Sequence, residues 1–223
     1  MIKERLLSLR EEAYAAYQRR LIPSLPTEQI LGVRTPALRK LAKELRGTAE
    51  AEAFLKALPH ETLEENNLHA LLLENEMDFA SALMKTRAFL PCVNNWATCD
   101  QLSPGAFAAD PEMLLVDIAQ WLSSDHIYTV RFAVGLLMRY FLDERFDRIY
   151  PERIAAITSK EYYVNMAMAW YFATALTKQY DAVLPYFEKQ TLDNWTHNKA
   201  IQKALESRLV SEERKVYLRT LKV

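Results

Sequence analysis

The chain has 223 residues and a formal net charge of −1, from 28 Lys/Arg against 29 Asp/Glu, and half of its residues are apolar. Only four are glycine. Gly32, Gly47, Gly105 and Gly135 lie too far apart for a P-loop or a dinucleotide-binding fingerprint and are too few for a hairpin-rich β fold. The length fits a single domain spanning residues 1–223 or a short continuous array.

The opening MIKERLLSLREEAYAAYQRR has no apolar stretch of signal-peptide length, and no window reaches 18 uncharged apolar residues. The expectation is a cytoplasmic chain with no membrane span. Cys92 and Cys99 form neither a CxxC pair nor a disulfide scaffold, so they read as reduced thiols rather than metal ligands. Charge is uneven along the chain. Residues 1–46 carry ten Lys/Arg and five Asp/Glu (+5), residues 47–198 eleven and twenty-one (−10), and residues 199–223 seven and three (+4). A basic head and tail form one basic face if the ends curl toward each other; ordinary surface charge is the other reading.

Helical spacing of apolar residues dominates from the first basic segment onward. In residues 30–46, ILGVRTPALRKLAKELR, Leu38, Leu41, Ala42 and Leu45 form an apolar stripe. Gly32 interrupts the chain, Thr35 is the expected cap, and Pro36 opens the helix. Arg39, Lys43 and Arg46 follow at i, i+4 and i+7, with Lys40 beside Arg39 and Arg34 just before the helix. This arrangement suits a phosphate-backbone clamp, with free N–H groups at the helix start available to an anion. It also suits a solvated amphipathic face. Further on, Glu65 and His69 are at i, i+4 and read as a structural pair; the four scattered histidines hold no metal-site spacing.

In Asn94-Asn95-Trp96-Ala97-Thr98-Cys99-Asp100, a helix places Trp96 and Asp100 on one face. A ring and a carboxylate held together suit stabilisation of a cationic centre; a core Trp near a surface Asp is the plainer reading. Pro104, Pro111 and Pro151 mark further helix starts. Leu114, Leu115, Ile118, Trp121 and Leu122 make one stripe, and Val130, Phe132, Val134, Leu137, Met138 and Phe141 a denser one. Arg131 sits inside this second stripe, where an arginine needs a partner such as Asp125 or Glu161, or a phosphate. The run Tyr162–Tyr171 is aromatic enough to be packing, though Trp170 in a groove would be a stacking platform.

The segment beginning Ser124 aligns with that beginning Ser159 at an offset of 35, with Tyr128 meeting Tyr163. A further 35 residues reach Asn194-Trp195 at the start of WTHNKAIQKALES. Paired helices at this interval point to an all-α solenoid of helical hairpins, some twelve to fifteen helices with no sheet.

Together and in this order, GVRTPALRKLAKEL, NWATCD, TVRFAVGLLM and MAMAWYFATAL resemble the AlkD-type DNA alkylation-repair glycosylases, a superfamily of HEAT-like repeat proteins, over roughly Ile30 to Lys203. The resemblance implies a curved array with a concave DNA-binding groove. It implies removal of N3- and N7-alkylated purines from double-stranded DNA without metal, organic cofactor or protein partner. It implies that Trp96, Asp100, Arg131 and Trp170 are the catalytic set, and that Arg34, Thr35, Arg39, Lys40, Lys43, Lys199 and Lys203 bind DNA. Two other readings stay open: a non-catalytic module that binds damaged or branched DNA, and a protein-binding solenoid.

Overall fold

The computed structural model describes residues 1–223, which form fourteen α-helices and no strand. The chain divides into two compact units, Met1–Leu114 and Leu115–Val223. No helix is long and apolar enough to cross a membrane.

The first unit holds α1 (Ile2–Ser8), α2 (Glu12–Leu21), α3 (Thr35–Leu45), α4 (Ala49–Lys56), α5 (Leu63–Glu74), α6 (Phe79–Phe89) and α7 (Trp96–Gln101). The apolar stripe expected on α3 is buried, and it packs with Leu68, Leu71 and Leu72 of α5 and with Ile2 and Leu6 of α1. A second cluster joins Ala15, Ile22, Leu25, Ile30 and Leu63. Thr35 is the first helical residue rather than the cap; Arg34 holds the cap position and Pro36 falls inside the first turn. The proline's fixed φ suits any position of that turn, where its missing N–H costs no bond. Pro104 introduces only a short 3-10 turn, Gly105–Ala108, instead of the expected helix, while Pro111 opens a 3-10 turn, Pro111–Leu114, that runs directly into the helix Leu115–Leu122.

Helix α5 contacts α1, α3, α4, α6 and α7 and is buried on every side from Leu63 to Leu73. It nevertheless carries Glu64, Glu65, Asn66, Asn67 and His69. Buried polar groups need partners, and most of these find them in the neighbouring loops and in α7, while Asn66 Oδ1 and His69 Nε2 have none. The Glu64 carboxylate accepts the main-chain N–H groups of Leu31 (2.9 Å), Gly32 (2.6 Å) and Val33 (3.2 Å). Gly32 is required there: its φ is +86°, and a Cβ would lie 2.4 Å from the Glu11 carbonyl oxygen and 2.6 Å from the Ala15 nitrogen. Glu65 turns back to accept the Thr62 N–H (2.9 Å), while Thr62 Oγ1 accepts the Glu65 N–H (3.3 Å), closing a capping box. The expected Glu65–His69 pair therefore does not form. His69 Nδ1 meets His60 Nε2 at 2.8 Å; His69 stacks on Phe89 (3.8 Å between centroids) and His60 on Phe54 (4.2 Å).

The second unit holds α8 (Leu115–Leu122), α9 (Ile127–Tyr140), α10 (Ile149–Ala155), α11 (Tyr162–Lys178), α12 (Tyr180–Glu188), α13 (Asn194–Glu206) and α14 (Glu212–Thr220). The 35-residue repeat is present in the local structure. Helices α9 and α11 start 35 residues apart, and the turns before them match: Ser124 Oγ accepts the His126 N–H (3.1 Å) and Ser159 Oγ the Glu161 N–H (3.0 Å). At the third turn Asp193 replaces the serine and accepts the N–H groups of Trp195 (3.0 Å) and Thr196 (3.1 Å). Helix α11 packs against both α9 and α13, and buries Tyr171, Phe172 and Leu176. This is the sequential stacking of an α-helical repeat array.

Two predictions follow from the buried polar groups of α5. Glu64→Ala leaves three buried N–H groups without their acceptor, and is expected to lower unfolding free energy by at least about 3 kcal/mol; a loss below about 1 kcal/mol in urea denaturation would contradict the role given to this carboxylate. Burial is the main cause that drives the His69 pKa down to about 2, with His60 and Lys85 adding to it. The folded state therefore holds a neutral ring while the unfolded chain takes up a proton below about pH 6.5. Stability is full above that pH and is lost as pH falls. His69 alone accounts for about 2 kcal/mol between pH 8 and pH 5. Urea titrations at those two pH values measure the loss, and His69→Leu is expected to shrink it.

Candidate nucleic-acid interface

The short helix α7 is held from below. Its cap Asn95 is fully buried and accepts the Thr98 N–H through Oδ1 (2.8 Å), while its amide donates to Thr98 Oγ1 (2.9 Å). Thr98 Oγ1 donates to Asn67 Oδ1 of α5 (2.8 Å), and Gln101 Nε2 to the Asn67 carbonyl (2.8 Å). A helix of six residues has little stability of its own, so these bonds fix its placement. They set Trp96 and Asp100, four residues apart, on one face. Trp96 is half-buried: its ring packs on the Ala15–Ile22–Leu25 cluster and its Nε1 donates to the Leu21 carbonyl (3.1 Å). Asp100 is half-buried beside buried Cys99. The residues that position this pair, Asn67 above all, were not singled out from sequence. The signal was there as four consecutive polar residues, Glu64–Asn67, heading an otherwise apolar helix.

The start of α3 differs from the expectation in one respect. The N–H groups of Leu31, Gly32 and Val33 do not await an external anion, because Glu64 already supplies one. The side chains remain outward. Lys40 and Lys43 are exposed, and so is Thr35. Arg34 bridges Glu11 (2.9 Å) and lies 4.8 Å from the Tyr14 ring centroid. Arg39 bridges Glu74 (2.9 Å). Both pairs are solvent-exposed, so they are weak enough to exchange for another anion.

In the second unit Arg131 is buried, and its Nη1 donates to the Tyr163 carbonyl (3.0 Å), a bond that ties α9 to α11. This main-chain partner was not among those considered from sequence. Trp170, by contrast, is not core: it is 42% exposed on a helix whose neighbouring positions Ala169 and Tyr171 are fully buried. Lys199 and Lys203 lie four residues apart on α13, both half-buried, and Lys199 Nζ donates to Gln202 Oε1 (3.1 Å). No three of the His, Cys, Asp and Glu side chains come together in a way that could hold a metal ion.

The family model described as DNA alkylation repair enzyme matches residues 2–205 of the chain. Among curated proteins none matches it.

Proposed function

Because the chain belongs to the DNA alkylation repair enzyme family, with DNA as the substrate of that repair role, we propose that it is a monofunctional glycosylase for N3- and N7-alkylated purines in duplex DNA. The observation that carries this reading is the braced α7 helix, on which four hydrogen bonds, three of them buried, hold one ring and one carboxylate in register.

The chemistry asks for little more. An alkylated purine at N3 or N7 is already cationic, so its bond to C1′ is weak and the base leaves as a neutral molecule. As that bond breaks, positive charge moves to the sugar as an oxocarbenium ion. The Asp100 carboxylate stabilises this charge and orients a water, whose oxygen bonds to C1′ as its proton is released. The face of Trp96 adds cation–π attraction, and the exposed ring of Trp170 in the second unit is a stacking platform for DNA. Arg131, in the second unit, holds a backbone phosphate. In the first unit Arg34, Thr35, Arg39, Lys40 and Lys43 hold the DNA backbone, and in the second Lys199 and Lys203 do.

Release of free methylated base from methylated duplex DNA tests the reaction. Asp100→Asn is expected to slow release by roughly 10²–10³ while duplex binding persists; unchanged release would remove Asp100 from the mechanism. Duplex binding without any base release, in the wild type, would instead favour a non-catalytic binder of damaged or branched DNA. The paired change Arg39→Glu with Lys43→Glu is expected to weaken duplex binding and to lower the slope of log K against log salt by about 2, with release at saturating protein unchanged. A salt titration of binding measures both effects, and an unaltered slope counts against the clamp.

A further inference from the structure

Outside the residues used so far, the second unit exposes two large rings in contact with each other. Trp195 is 41% exposed and Tyr162 55%, and they meet in a T-shaped arrangement with centroids 5.4 Å apart. Such a contact leaves ring faces uncovered. Exposed tryptophan is costly unless it meets something, and here the surroundings are polar. Trp195, Asn198, Lys199 and Gln202 recur at three- to four-residue spacing on α13, so they share one face. With Lys222 and Val223 they line a cavity of about 430 Å³. That lining holds two cationic side chains, Lys199 and Lys222, and the Val223 carboxylate, which Asn198 engages.

The cavity is built rather than left over. Asp193 fixes the backbone of Trp195 and Thr196 at the helix start. Lys222 sits between two anchored neighbours. His197 Nε2 donates to the Leu221 carbonyl (2.8 Å), and Asn198 makes two bonds to Val223, donating to its carboxylate oxygen (2.6 Å) and accepting its N–H (3.1 Å). These bonds hold the end segment against α13 and keep Lys222 in the cavity lining.

A flat open ring beside two ammonium groups is the chemistry that receives a base and its phosphate. A paired base offers no face to such a ring, since both its faces are stacked within the duplex. We infer that Trp195, with Tyr162 beside it and Lys199 and Lys222 at the rim, binds an unpaired nucleotide of a DNA strand. The inference rests on the DNA-directed reading above but assigns a different substrate form to this part of the molecule: single-stranded rather than duplex.

Fluorescence anisotropy with a labelled thymidine strand tests it, against an abasic strand of the same length and a blunt duplex. The wild type is expected to bind the thymidine strand more tightly than the abasic one. Trp195→Ala is expected to weaken thymidine-strand binding about tenfold, and Trp195→Phe to restore most of it. Neither change should alter duplex affinity beyond about twofold. Lys199→Glu should weaken binding of both strands, because phosphate is common to them. Equal affinity of wild type and Trp195→Ala for the thymidine strand overturns the inference, as does equal wild-type affinity for thymidine and abasic strands. If that occurs while methylated base is still released, only this inference falls; if neither strand nor duplex is bound, both readings fall together.

Discussion

The Glu64 carboxylate accepts three consecutive N–H groups from the loop that leads into α3, and the first unit is arranged around that interaction. A fully buried carboxylate is tolerated only where strong donors surround it. Here the donors are main-chain groups that would otherwise also be buried and unsatisfied, so each side resolves the other's cost. The same contact places Gly32 against the start of α2, where Glu11 N–H bonds back to the Gly32 carbonyl (3.1 Å). One interaction therefore sets α2, the loop and α3 relative to α5, and with them the directions in which Arg34, Arg39, Lys40 and Lys43 project.

Helix α5 does more than fill the core. Its second turn supplies Asn67, to which α7 is fastened. The charged face of α3 and the Trp96–Asp100 pair of α7 are thus both referred to one rigid, buried helix, by way of residues three positions apart. The proposed stabilisation of a developing cation calls for such rigidity, since electrostatic stabilisation depends on groups already in place when charge appears. The same logic explains why polar residues occupy positions where leucine would pack at no desolvation cost.

In the second unit the aromatic residues divide by exposure. Tyr171, Phe172 and Phe187 are fully buried packing groups, while Trp170, Tyr162 and Trp195 face solvent. Composition alone does not separate the two sets, because rings of both kinds occur in the same helices. Helix α11 presents buried positions toward both α9 and α13, leaving a narrow outward strip, and Trp170 falls on it. The reading of the Tyr162–Tyr171 run as packing holds for most of its members and fails for Tyr162 and Trp170, which are exposed.

By itself the sequence determined the helical class, the apolar stripe of α3, the 35-residue interval between α9 and α11, and the spacing that puts Trp96 and Asp100 on one helical face. These are short-range properties: they follow from a period of 3.6 residues and from turn chemistry within a few positions. The tertiary structure alone decided where the buried polar groups went. Glu64 is satisfied by residues more than thirty positions earlier, Asn67 by a helix some thirty positions later, and His69 by His60 rather than by Glu65 on its own face. It also decided that the loop before α3 carries its own anion, and that Trp170 and Trp195 stand open. A buried polar atom is satisfied by whatever donor the fold brings within 3 Å, and no local pattern specifies which donor that is.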